Sequence, residues 1–380
     1  MNKETLYWKD KNNSIRVWYI TWQDNWYKTG SYVYGSDKIK ETEPTYVTGK
    51  NIGRANETTT EEQLNLEVES KIKKQIDKGY SYEIPSNTKR FDVSLAGRYQ
   101  DRQVKNLLNF PYHCEPKLDG IRCYIKNCDG KIKMFSRKHK EFVSCPHITE
   151  SDFVQKFFKL VPCGILDGEL YNHKLKDNFE KIVSLVRKQK VTADDLKETK
   201  ELINFYCFDF YDPTQPEVSY YLRKKFILDI IIGNSDISND PFICVKPLGE
   251  IHDEKTADLY LKQCIEEGYE GIMLKKDVPY FFGRSNDLLK YKTFLDKEFK
   301  IVSFEEGKGN AANMAASVIC EDVAGNKFSA AIKATQEYKK DLWENRLSYV
   351  GKLATIKYQA LTGTGGVPRF GQMIAIREDT

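Results

Sequence analysis

Between residues 105 and 295 the chain alternates strand-like apolar runs with helical patterns, and charged side chains recur inside the apolar runs. A charge held in an apolar strand needs a partner or a bound counter-ion, which limits the ways such a segment can fold. The runs are HCEPKLDGIRCYI, GILDGELY, LINFYCFDFY, GYEGIMLKK and DLLKYKTF, and helical patterns include residues 153–160 and 222–232. KLDGIR (117–122) and LDGELY (166–171) each put Asp-Gly at or near the end of a strand. Alone, such a dipeptide reads as a β-turn. Asp209 follows Phe208 in an apolar strand, where a buried carboxylate requires a partner. Glu270 precedes the strand GIMLK. Lys290 and Lys292, two apart, share one face of a strand. Burying that pair demands a facing anion, unless the strand is an exposed edge. A lysine, two glutamates, an aromatic ring and a basic pair on strands of one domain describe a nucleotide site. The ring stacks the base, the cations neutralise phosphates, and the carboxylates hold a ribose hydroxyl or a divalent metal.

At 380 residues, 40% hydrophobic and 30% charged, the chain has room for two or three domains and a real core, as a soluble globular protein. No run approaches the ~18 apolar residues of a membrane span, and the opening MNKETLYWKDKNNS lacks a secretory apolar segment. Nine scattered cysteines without a C-x-x-C pair read as reduced and cytoplasmic, with no disulfide framework or zinc site. The net charge of +4 is spread evenly: residues 1–82 carry 13 basic and 12 acidic side chains, and residues 296–380 carry 12 and 11. Nucleic acid would therefore have to meet a local patch on a folded surface.

The flanks differ from the centre. Trp8, Trp18, Trp22 and Trp26 lie among short aromatic strands, either as core or as a contact face. A helix follows, with Thr60 and Gln63 as a capping box, Leu64, Val68, Ile72 and Ile76 on one face, and a stop at Gly79. The composition loosens near Pro85 and Ser86, which marks a linker. From Phe299 onward FKIVSFEE, ASVICEDV, KFSAAIK and LATIKYQAL, broken at GKGNAAN, AGNK and TGTGGVP, predict a small β-barrel with a helical piece near 339–347.

The ordered set KLDGIR, DGE, FD, EG and KYK resembles the motifs shared by covalent nucleotidyltransferases: DNA ligases, RNA ligases and mRNA capping enzymes. The tail YQALTGTGGVPRFGQMIAIRED is similar to the end of the OB domain in ATP-dependent DNA ligases. Through its aromatic strands, GKNIGRA and its helix, the head resembles a WGR module, with Ile52-Gly53-Arg54 nearest to the Trp-Gly-Arg word. The resemblance implies an α+β protein: a WGR-like DNA-binding module (1–82), a nucleotidyltransferase (ATP-grasp-like) core of antiparallel sheets with helices (83–295), and an OB β-barrel (296–380). It implies ATP with Mg²⁺ or Mn²⁺, nicked double-stranded DNA as substrate, a monomer clamping the duplex, and a role in DNA replication, repair or recombination. The compartment is the cytoplasm, the host cell's if the chain is viral or phage-encoded.

Carried over by motif, Lys117 is the catalytic nucleophile and Glu115 contacts the adenine edge. Arg122 and Arg137 face ribose and phosphates. Glu169 and Glu270 hold ribose or metal, Phe208 stacks on the purine, and Lys290 and Lys292 grip the α-phosphate. Arg369 and Arg377 orient the leaving pyrophosphate, although RFGQMIAIR has no basic residue between its two arginines. A free lysine, with a pKa of ~10.4, is almost entirely ammonium at neutral pH, so nearby cations or a metal must favour the amine. A capping enzyme would share the lysine but use GTP, and an RNA ligase usually lacks the OB domain. An NAD⁺-dependent ligase would add a nicotinamide segment and zinc-finger cysteines. A degenerate, non-catalytic DNA binder would tend to lose the lysine, the glutamates and the lysine pair, all of which are present here.

Overall fold

A computed structural model describes residues 1–10, 12–85, 91–232, 240–307, 311–362 and 366–377. The linker expected near Pro85 and Ser86 lies largely outside them, as do parts of GKGNAAN and TGTGGVP and the last three residues. The chain forms two compact units, one of residues 1–92 with 135–141, the other of residues 93–134 with 142–380. No helix is long and apolar enough to cross a membrane, among the described residues.

In the first unit the strands Asn2–Lys9, Ile15–Gln23 and Trp26–Val33 form an antiparallel meander, extended by the short strands Lys40–Glu41 and Thr45–Tyr46. The helix Thr60–Ile76 packs its Leu64 and Val68 on Leu6, Trp18, Ile20 and Tyr27. Its capping box is one residue earlier than the sequence reading placed it. Thr59 accepts from the Glu62 amide and Glu62 returns a bond to Thr59, so the first turn is closed by a Thr/Glu pair and not by Thr60/Gln63. Ile76 is 42% exposed and leaves the apolar stripe, because the helix ends there. Trp18 is core and Trp22 packs against it, whereas Trp8 lies beside Tyr80.

The second unit holds two sheets and a barrel. One sheet runs in the order Gly249–Ile251, Tyr112–Lys117, Gly271–Lys275, Gly283–Tyr291, Ser94–Arg98, and is antiparallel except for its last pair. The other contains, in order, Ile121–Cys128, Ile165–Tyr171, Asn204–Tyr211 and Phe242–Cys244, the last pair again parallel. Each sheet covers its own apolar cluster. Helices Asp152–Leu160, Phe179–Val186 and Tyr220–Ile232 close the larger one, and Glu254–Glu266 closes the smaller. Asp152–Leu160 shows why such segments are helices. Ser151 caps its first turn, and Phe153, Val154, Phe157 and Phe158 recur at helical spacing and are all buried.

HCEPKLDGIRCYI is therefore two strands in two different sheets, and residues 118–120 cross between them. Gly120 is required at that crossing. A Cβ there would come within 2.5 Å of the Leu170 carbonyl and 2.7 Å of Glu169, so the two Asp-Gly words pack on each other. The second dipeptide is not at a strand end. Asp167 and Gly168 sit mid-strand in Ile165–Tyr171, at a β-bulge against Asn204–Tyr211.

The barrel is closed by five strands in the order Leu295–Glu306, Ala315–Glu321, Lys327–Ile332, Gln372–Ile376, Leu353–Tyr358. Their alternating inward residues, among them Phe299, Ile301, Val318, Phe328, Ala330 and Ile356, fill it. Helices Gln336–Glu344 and Arg346–Tyr349 join its third and fourth strands in chain order.

Candidate active site

Register explains how the scattered charges meet. Lys117 ends its strand opposite Gly271, and the Glu270 amide donates to the Lys117 carbonyl at 3.0 Å. Their side chains consequently lie together, with Lys117 Nζ donating to Glu270 Oε2. Lys292, one residue past its strand, donates to Glu270 Oε1 at 2.7 Å and to Gln359 of the barrel. Burial works against the Glu270 carboxylate, but Lys117 and Lys292 prevail and hold it below the usual range. Lys290 has no carboxylate partner among the described residues. Burial and the neighbouring Lys117, Lys292 and Arg98 push it down. Arg98 arrives through the parallel pairing of Ser94–Arg98 with Gly283–Tyr291, which sets it opposite Lys290. Of the cations expected around Lys117, Lys290 and Lys292 are near it and Arg122 is tied to Asp167, while the immediate neighbour of Lys117 is an anion.

Arg122 and Glu169 are paired across adjacent strands. Arg122 grips Asp167 with both Nε and an Nη, at 2.7 and 2.6 Å, and Tyr280 donates to the same carboxylate at 2.6 Å. Glu169, in contrast, is pushed up to about 7, mainly by burial. Arg122 and Lys117 oppose that shift, and Glu270 and Asp167 add to it. Phe208 carries the Arg122 guanidinium 4.4 Å from its ring centre and Lys275 Nζ at 4.9 Å.

Glu115 is only 1% exposed. It accepts from Tyr220 at 2.6 Å and pairs with Lys224 at 2.7 Å and Lys275 at 2.6 Å. These two lysines hold its carboxyl low against the opposing effect of burial. Asp209 has the partner that its burial demanded, a two-pronged pair with Arg223 at 2.8 and 3.0 Å. Arg137 is exposed in the turn closed by Ser136 and Lys140, within the first unit.

A cavity of about 560 Å³ opens between this core and the barrel. Arg369 reaches across to Asp119 of KLDGIR with two bonds of 2.7 Å and lies over the Phe179 ring at 4.1 Å. Arg377 is not brought to the cavity: it is mostly exposed and pairs with Glu298 at 2.6 Å. Sequence reasoning missed Arg98, Asp119, Asp167, Phe179, Lys333 and Lys357. Only Asp119 and Asp167 carried a signal, inside words already singled out.

No group of three or more His, Cys, Asp or Glu side chains converges on a metal-sized site, among the described residues. Glu169 still fits a divalent cation, because its buried carboxyl has no hydrogen-bond or ion-pair partner among the described residues, although the ion would have to displace the proton that burial favours there. Glu270, engaged by two lysines, would have to exchange one of them. With so few protein donors the ion would complete its shell from phosphate oxygens and water, as Mg²⁺ commonly does.

Residues 94–292 match the family model described as the ATP dependent DNA ligase domain, and residues 306–377 match the DNA ligase OB-like domain. The DNA ligase of African swine fever virus, isolate Pig/Kenya/KEN-50/1950, is 27% identical over 369 residues, covering 90% of this chain and 81% of that protein. The DNA ligase of isolate Warthog/Namibia/Wart80/1980 is 26% identical over 354 residues, 87% and 78% of the respective chains. Among solved structures, a Lig E DNA ligase shares the fold with a TM-score of 0.60 at 24% identity, over 76% of this chain and 100% of its own.

Proposed function

This chain belongs to the ATP-dependent DNA ligase family, and we propose that within it Lys117 takes AMP from ATP and passes it to the 5′-phosphate of nicked duplex DNA. The carrying observation is the place of Lys117: at a strand end beside a cavity, joined to Glu270, with Lys290, Lys292 and Arg98 close by. Lys117 donates to Glu270 there, so attack begins when that pair opens, and between the ion pair and the finished phosphoramidate N–H two protons leave Nζ for water. The Nζ–Pα bond then forms as the bond from Pα to the β-phosphate breaks, and Lys290 and Lys292 take up charge on the α-phosphate. AMP next moves to the DNA 5′-phosphate, and the adjacent 3′-hydroxyl displaces it to seal the strand.

Arg122, fixed by Asp167, meets ribose and phosphates, with Arg137 as a further phosphate contact. Phe208 stacks on the purine, and Glu115, held by two lysines and Tyr220, reads the adenine edge. Mg²⁺ or Mn²⁺ bound at Glu169 and Glu270 would act as a Lewis acid on the phosphates. Arg369 serves chiefly through Asp119, latching the barrel over the core for the ATP step. Arg377 completes the set only if it leaves Glu298.

The division 1–82, 83–295, 296–380 is kept as the functional one. The head is a WGR-like module that grips nicked or broken DNA. The exposed turn Ile52-Gly53-Arg54 supports this, with Ile52 80% exposed and Gly53 at φ +76°. The protein works as a monomer in the cytoplasm, in replication, repair or recombination. The deciding experiment gives purified protein labelled ATP and Mg²⁺ without DNA, beside Lys117→Ala, and reads intact mass. An AMP adduct in the native chain alone supports the reading, and none in protein free of prior AMP refutes it.

A further inference from the structure

The terminal block, with its two arginines, has no free cation for the pyrophosphate. Arg369 gives both Nη groups to Asp119, and Arg377 is paired with Glu298 outside the cavity. The cavity nevertheless is lined by Arg98, Lys290, Lys292, Lys333, Lys357 and Arg369, against the carboxylates Asp119 and Glu270. Both carboxylates are taken, Asp119 by Arg369 and Glu270 by Lys117 and Lys292. Arg98, Lys290, Lys333 and Lys357 are then left without an ion pair, among the described residues. Two of these four come from the barrel: Lys333, directly after Lys327–Ile332, and Lys357, within Leu353–Tyr358 and 4.7 Å from the Phe294 ring centre. Lys292 lies over the same ring at 5.2 Å, so the barrel lysine and the core lysine share one wall.

Arg98, Lys333 and Lys357 are exposed, yet cations gathered around one cleft still repel one another, and a multiply charged anion among them relieves that repulsion. About 560 Å³ is room for a small ligand. We propose that Lys333 and Lys357 bind the β- and γ-phosphates of ATP and the pyrophosphate that departs, the work usually assigned to basic residues of the terminal block. This rests on the ligase reading above. As Lys117 Nζ bonds to Pα, the electron pair of the breaking Pα–O bond leaves with pyrophosphate, and the two lysines meet the charge that accumulates there. The amine proton goes to water.

The test uses the full chain with Lys333→Ala, Lys357→Ala, both together, and both replaced by Arg. Three reactions are followed: AMP transfer from ATP to Lys117, its reversal by inorganic pyrophosphate, and sealing of a nick already adenylylated at its 5′-phosphate. Each single alanine should raise half-saturating pyrophosphate about tenfold, and the pair about a hundredfold, as expected for charge-assisted bonds. Sealing of the pre-adenylylated nick, in which no pyrophosphate takes part, should stay within about threefold, and the arginine pair should restore the reversal. A double alanine variant with native dependence on pyrophosphate overturns the assignment. So does an equal loss in pre-adenylylated sealing, which would make these lysines DNA contacts. A native chain that forms no Lys117 adduct would bring down the ligase reading and this one together, whereas failure here alone leaves that reading standing.

Discussion

Glu115 and Lys117 lie two residues apart on one strand, yet their surroundings are opposite in kind. Around Glu115 every charged group has a buried partner: Lys224 and Lys275 on Glu115, Arg223 on Asp209, with Tyr220 donating a further bond to Glu115. Around Lys117 the cations outnumber the carboxylates, and several face a cavity without an ion-pair partner among the described residues. Buried pairs of the first kind hold geometry, because removing one member strands the other. Unpaired cations of the second kind mark where an anion enters. The same residue type, lysine, is held by a buried carboxylate at one end of the site and lines a cavity at the other, and only its partners tell which.

The contrast is most directly broken at Lys117. Lys117→Ala should abolish the AMP adduct, a loss above about a thousandfold in a single-turnover labelling assay. The matched end should respond in stability. Glu115→Gln leaves Lys224 and Lys275 facing each other in a dry site and should cost about 3–5 kcal/mol, read by denaturant unfolding. Because the Glu115 carboxyl is held low, its contribution exists above the unfolded value near 4.5 and fades as pH falls below it. A stable Glu115→Gln protein with native ATP binding would remove Glu115 from both roles, buried support and adenine contact.

Arg369→Ala opens the latch on Asp119, and adenylylation should slow by about ten- to a hundredfold while the barrel stays folded by circular dichroism. Glu169 tests the pH behaviour. Its carboxyl, raised to about 7, keeps a proton in the folded protein between pH 4.5 and 7, so its stabilising effect is full below that window and lost as pH rises through it. Binding of a divalent cation should therefore release close to one proton at pH 6 and almost none at pH 8, in calorimetry with buffers of different ionisation enthalpy. Equal release at both values would remove Glu169 from the metal. The smallest effect belongs to the head, where Ile52→Ala with Arg54→Ala should raise KM for nicked DNA by about threefold and leave self-adenylylation alone.

Much of this was readable from spacing. The barrel's alternating apolar residues, the helix after residue 59 and the order of the charged words all survive in the structure. Asp209 was expected to need a partner and has Arg223. Long-range register was not readable. A strand-like run through Leu118 gives no local sign that it changes sheets, and SLAGR gives none that it pairs in parallel with Gly283–Tyr291 and delivers Arg98. The barrel lysines sit in or directly after ordinary alternating strands, where a lysine reads as solvated surface.

Residue types and their spacing along a strand are local properties, so the chain alone marked Lys117, Glu169, Glu270 and the pair Lys290 and Lys292 as candidates, and it set the barrel. Partner choice is non-local. Whether a lysine meets Glu115, Glu270 or open cavity depends on which strands lie side by side, and those pairings are established when the two sheets and the barrel bury their separate cores. Tertiary packing assigned Arg369 to Asp119, sent Arg377 to Glu298, and left Lys333 and Lys357 without an ion pair among the described residues, because an ion pair forms only between groups that the packed backbone brings within about 4 Å.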